Sequence, residues 1–253
     1  MPDQQLEIRI GMDLACRTYL YDLLHSGFGG NCSSEFVAKL FGAQTREMFA
    51  REAAALSDEG LSLDAGRALS KIDRSLGDCA KEVLACLDEH QNLSADALAA
   101  LAAQMESDFT KLFQVPGDSY VHMWESPYVG TEQTLFQGST LDVRAMYHAA
   151  GLKLQAEHQF PDDHIAAMLA YMGCMGTRAY DAYADGLDTE CRKALQDTKA
   201  FLEAHLLTWI DALAADVIEK DEHGLYAAFM QAVVVLVHVD AVQLDWLMKR
   251  IGE

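Results

Sequence analysis

The chain has 253 residues, 51% of them apolar, enough to bury a substantial core. Nineteen basic residues stand against 39 acidic ones. The resulting formal charge of -20 argues against nucleic acid and anionic membrane as partners and favours cationic ones, although the same charge also serves solubility alone.

The first ten residues lack the basic and apolar regions of a secretory signal, so the protein is expected to stay inside the cell. Apolar residues then recur at three and four through most of the sequence, and Gly and Pro are sparse, which predicts an all-α protein. A first helix is predicted over residues 6 to 26, with Leu14, Arg17, Tyr21 and Leu24 on one face, and the run Gly27, Gly29, Gly30, Asn31 ends it. Ser33 and Ser34 can cap a following pair of short helices over residues 35–41 and 43–56. A longer helix is predicted over residues 63–89, and another, capped by Ser94, runs to Phe113. The six cysteines are scattered without metal-site spacing; core packing is their stronger reading.

Between residues 115 and 138 the helical period breaks down. Pro116 and Pro127 interrupt it, and Tyr120, Trp124, Tyr128 and Phe136 accumulate. A long aromatic-rich loop in a helical chain usually carries function or a hinge. It divides an N-terminal helical part, residues 1–114, from a C-terminal one, residues 139–253, within a single bundle-like domain of about ten helices. Helices are predicted to resume over residues 140–150, 161–184, 189–217 and 222–249. Core stripes fall on Ile165, Met168, Leu169, Met172 and Met175, and on Leu202, Leu206, Trp209 and Leu213. The β-prone run 233–239 is read as buried helix from its flanks, and no apolar stretch reaches the roughly 20 residues needed to span a bilayer.

No nucleotide-binding glycine loop, zinc-binding helix motif or nucleophile elbow is present. His158 and His164 are six apart, off register for a shared metal, and of a possible soft-metal group of Met172, Cys174 and Met175 the two methionines belong to a core stripe. The segment opening the helix near residue 161 is richer. Pro161 suits a first helical position, Asp162 and Asp163 suit the positive end of the helix dipole, and His164 adds a group that titrates near neutrality. With Glu157 upstream, three carboxylates fall within seven positions, an arrangement that also suits guanidinium recognition. From this motif alone, capping and solvation are the stronger reading.

The succession of short strings is more specific than any one of them. Asp108-Phe109 with Leu112-Phe113, Trp124-Glu125-Ser126-Pro127-Tyr128, Val143-Arg144 with Tyr147, Gly151-Leu152, Pro161-Asp162-Asp163-His164-Ile165, and Phe201-Leu202 with His205-Leu206 and Trp209 come in the order and spacing of one family. Over residues 105 to 215 the chain resembles the TorD/DmsD/NarJ chaperones, and Arg17 with Tyr19 echoes the family's N-terminal part. Met168 stands where that family usually has a glutamate, and Phe160 where it usually has an acidic or polar residue. The resemblance implies a cytoplasmic, non-catalytic chaperone without cofactor or metal. It would bind the twin-arginine leader and the apo form of a molybdopterin-containing oxidoreductase catalytic subunit, holding the subunit for cofactor insertion before export. Such a protein would be a monomer or a helix-swapped dimer. The residues expected to hold the leader are Trp124, Glu125, Ser126, Tyr128, Glu157, Phe160, Pro161, Asp162, Asp163 and His164. The alternative is a helical metal-binding protein or enzyme using His, Glu, Met and Cys ligands.

Overall fold

A computed structural model describes residues 2–58, 60–61, 63–69, 71–130, 138–154 and 161–252. The fold is all-α. Along the chain run α1 (Pro2–Phe28), α2 (Ser34–Leu40), α3 (Ala43–Ala55), α4 (Leu76–Glu89), α5 (Ala95–Phe109), the one-turn α6 (Ser126–Val129), α7 (Gly138–Ala149), α8 (Ile165–Ala184), α9 (Asp188–Phe201), α10 (Leu207–Lys220) and α11 (Leu225–Arg250). Single π-turns at Thr110–Gln114 and Leu202–Leu206 extend α5 and join α9 to α10.

Capping serines set several starts. Ser33, Ser75 and Ser94 accept from the backbone N–H groups of Phe36, Asp78 and Ala97. Ser75 also explains a departure from the sequence expectation, because α4 begins at Leu76 rather than near residue 63. Upstream, Asp64 accepts from Gly66 N–H in a turn and Ala68 bridges Ser75, so the described backbone groups there bond locally outside any helix. The expected helix over residues 189–217 is likewise interrupted, by the π-turn at Leu202–Leu206.

The centre of the molecule is α11, in which every side chain from Leu225 to Asp240 is buried. A helix apolar on all sides is stable in water only when wrapped by others, and α4, α9 and α10 pack around it. Among the described residues it is the one helix long and apolar enough to cross a membrane, and here it forms the core. Helix α1 packs most extensively on α8. Gly176 permits that approach: a Cβ there would lie 2.6 Å from Thr18 Oγ1, which is held by its bond to Leu14 C=O. One apolar cluster runs from Ile10 in α1 to Ile251 after α11, so helices before and after the 115–138 segment share a core.

Within that core lies an ion pair. Arg17 donates from Nε and Nη2 to the two oxygens of Asp240, at 3.1 and 2.7 Å, and both side chains are fully buried. Tyr21 Oη donates to the same carboxylate at 2.8 Å. Two positions one turn apart on α1 are thereby locked to α11.

Candidate functional site

The loop after α5 is pinned at its start, where Val121 N–H donates to Leu112 C=O at 2.7 Å. It then runs against the segment leading into α8. Trp124 and His164 form an isolated antiparallel bridge, with Glu125 N–H donating to Asp163 C=O (3.0 Å) and Ile165 N–H to Met123 C=O (2.8 Å). The two stretches singled out from sequence, about 40 residues apart, are therefore paired strand-like in space.

The aspartates hold this junction together. Asp163 is fully buried; its Oδ2 accepts from Ser126 N–H at 2.9 Å and its Oδ1 from Thr140 Oγ1 at 3.0 Å. One carboxylate thus joins the loop, α7 and the entry to α8. Asp162, also buried, accepts from Arg144 Nε (2.8 Å) and Nη2 (2.5 Å), while Tyr147 Oη donates to its carbonyl. The guanidinium that Asp162 meets is the chain's own Arg144. Buried Glu125 pairs with His205 Nδ1 at 3.0 Å, which ties the loop to the π-turn between α9 and α10.

Two sequence expectations are corrected here. Pro161 is not the first residue of α8, which begins at Ile165; the pairing with the loop holds residues 161–164 out of the helix. The cap is His164, whose Nδ1 accepts from Ala166 N–H at 3.1 Å, and Asp163 gives its oxygens to other segments instead of the helix start. Of the remaining candidates, Pro161 and Ser126 are buried, and Trp124 and Tyr128 are half-buried. Tyr128 Oη donates to Asp216 at 2.9 Å and its ring lies 5.4 Å from that of Trp209. Glu157 and Phe160 lie outside the described residues, as does His158.

Accepting an N–H requires Nδ1 of His164 to be bare, so its proton sits on Nε2 and the ring is neutral. Burial lowers its pKa to about 4, with the Asp163 carboxylate opposing the shift and His25 adding to it. The unfolded chain therefore binds one more proton than the folded one between about pH 4 and 6.5. This contribution to stability is complete above that window and is lost as pH falls through it. Denaturant unfolding is expected to show about 2 kcal/mol of His164-dependent loss between pH 7 and pH 5. In His164→Asn, which can still cap, that part of the pH slope should vanish; an unchanged slope would contradict the assignment.

Beside the junction opens an apolar cleft of about 730 Å³ between the end of α1, the turn after α5 and the first turns of α8. Phe28, Phe109, Phe113, Met123 and Trp124 supply its apolar walls, and His25 and His164 its polar edge. His25 Nδ1–H donates to Ala166 C=O at 2.8 Å, and the rings of Trp124 and His164 meet edge to face at 5.1 Å. From sequence, His25 falls only within the first predicted helix and Phe28 just beyond its predicted end, with no role for either, whereas α1 runs on to Phe28. The available signal was Phe109 and Phe113, four apart in one of the recurring strings, but nothing in the sequence joined them to the end of α1. Among the described residues no group of three or more His, Cys, Asp or Glu side chains is placed to share a metal ion.

The geometry is that of a binding protein, with an apolar cleft walled by aromatic rings and braced by buried ion pairs. Residues 66–215, more than half of the chain, match the family described as nitrate reductase delta subunit. The chain is 32% identical over 142 residues to chaperone protein TorD of Photobacterium profundum, covering 55% of this chain and 64% of that one. It is 27% identical over 232 residues to TorD of Vibrio cholerae serotype O1, covering 91% of this chain and 93% of that protein. TorD of Shewanella sp. strain ANA-3 is 28% identical over 160 residues, covering 61% of this chain and 68% of its own. This chain belongs to the nitrate reductase delta subunit family, and is a redox-enzyme maturation chaperone rather than an enzyme.

Proposed function

We propose that the protein is a cytoplasmic, system-specific chaperone for a molybdopterin-containing oxidoreductase. It binds the twin-arginine leader and the apo form of the catalytic subunit, and holds the subunit until its cofactor is inserted, before export. The observation that carries this reading is the aromatic-walled cleft beside Trp124 and His164. A twin-arginine leader joins two guanidinium groups to a short apolar run, and the cleft offers apolar area on a protein of charge -20. In this reading the leader's apolar run occupies the cleft. Asp162, Asp163 and Glu125 act on binding indirectly, by holding Trp124 and His164 in place, since their carboxylates are engaged within the fold.

Calorimetric titration of a synthetic leader peptide tests it. Binding is expected to weaken several-fold as ionic strength rises from about 50 to about 500 mM, because screening removes the long-range attraction but not the apolar contact. A leader with both arginines changed to glutamine should lose most of that salt dependence. Absence of binding to the unmodified leader at low salt would refute the proposal.

A further inference from the structure

Among the described residues that line the aromatic cleft there is no carboxylate, and its polar edge is His25 and His164. The acids of the adjoining junction are engaged within the fold: Asp162 by Arg144, Asp163 by Ser126 and Thr140, and Glu125 by His205. A leader that joins guanidinium groups to an apolar run therefore finds a seat for the run inside the cleft, and its cations need a bare carboxylate next to it.

Asp22 is such a group. It precedes His25 by three positions on α1, so the two share a face and stand about 4.5 Å apart along the axis. On α8, Ala166 and Ala170 line the cleft, and Gly173 continues their row. The two rows meet along the α1–α8 seam. His25 Nδ1–H donates to Ala166 C=O at the cleft, and further along the Asp22 carboxylate lies over Gly173, where a Cβ would come within 2.2 Å of Asp22 Oδ1. The missing side chain at Gly173 is what seats the carboxylate against the helix. Asp22 is exposed, with no hydrogen-bond or ion-pair partner among the described residues. The Lys39 ammonium lies over the Tyr19 ring, 5.1 Å from its centroid, rather than on this carboxylate. Partial burial raises the Asp22 pKa, with His25 and Lys39 opposing, and a guanidinium arriving beside it would favour the ionised form further.

We propose that Asp22 is a specificity-determining residue that receives an arginine guanidinium of the leader while the leader's apolar run fills the cleft. The arginine end of the leader then lies along the α1–α8 seam and the apolar end against Phe28 and Phe113, a placement that rests on the leader reading above. An extended chain advances about 3.3 Å per residue, so an arginine flanking the apolar run covers the turn between His25 and Asp22. Its planar fork offers two parallel N–H donors to one carboxylate, which a lysine ammonium does not match.

Calorimetric titration of the intact protein with a synthetic twin-arginine leader, and with the same peptide carrying lysine at both arginine positions, tests this in the parent, Asp22→Asn and Asp96→Asn. Asp96→Asn removes the same charge from the exposed start of α5, about 20 Å along the helix from Phe109. Asp22→Asn is expected to weaken the arginine leader about five-fold and to abolish the parent's preference for arginine over lysine. Asp96→Asn should change neither. Gly173→Ala keeps the charge but displaces the carboxylate, and should weaken the arginine leader in the same way. An arginine leader that binds the parent and Asp22→Asn equally would overturn the role of Asp22 and leave the cleft reading standing. Equal losses in Asp22→Asn and Asp96→Asn would reduce the effect to net charge and overturn it too. A leader that fails to bind the parent would overturn both readings together.

Discussion

Asp240→Ala is expected to lower the free energy of unfolding by about 3–5 kcal/mol. The cause is Arg17, which is fully buried and holds the Asp240 carboxylate with two nitrogens. Removing the carboxylate strands a guanidinium in the core and leaves Tyr21 Oη without its acceptor. The pair itself contributes far less than its rupture costs, because desolvating two charges offsets most of their attraction. Arg17→Met combined with Tyr21→Phe and Asp240→Leu, which leaves no buried partner stranded, should therefore fall within about 1–2 kcal/mol of the parent protein. Chemical denaturation of both variants checks this. A single variant as stable as the parent would mean that water or a neighbour compensates Arg17.

The second large effect is at Asp163. Asp163→Ala removes the acceptor of Ser126 N–H and of Thr140 Oγ1 at once, in a fully buried position. A hydrogen bond to a charged group contributes about 1.5–3 kcal/mol, so a loss of about 3 kcal/mol is expected, above the range of a lost helix cap. The damage should be local. Hydrogen exchange in Asp163→Ala should accelerate in residues 123–130 and at the start of α7, while α4 and α11 stay protected. Asp163→Asn keeps an acceptor for one partner and should recover part of the loss. If Asp163→Ala costs under about 1 kcal/mol and leaves exchange near Ser126 unchanged, the junction does not depend on this carboxylate.

These two sites show what the sequence made legible. The 3.6-residue period placed Leu14, Arg17, Tyr21 and Leu24 on one face of α1, and all four are buried. It likewise identified the stripes of α8 and of the π-turn and α10, and the flanks of the β-prone run 233–239 identified the core helix α11. That Arg17 on this face meets Asp240 was not legible, because the partner lies 223 positions away and periodicity carries no information about which faces meet. The same limit applies at the site. Proline, two acids and a histidine read locally as a helix start, and local physics would place the first turn at Pro161. Pairing with residues 123–125 overrides that preference, moves the start to Ile165, and turns both aspartates toward α7 and the loop. What did point the right way was succession. Glu125, Arg144, Asp162 and His205 each occur in one of the recurring strings, and in the fold they join as Arg144 with Asp162 and Glu125 with His205. The third wall of the cleft, Phe28 at the end of α1, had no such marker.

The most direct measurement is calorimetric titration of the leader peptide into the parent protein and into Ala167→Trp. Ala167 is half-buried on the outer side of α8 and lines the cleft, so an indole there fills the space without entering the core. Leader affinity for Ala167→Trp is expected to be at least about ten-fold weaker if the leader occupies the cleft, with an unchanged denaturation midpoint. Equal affinity for the two proteins, with the variant folded, would contradict it and place the leader elsewhere on the surface.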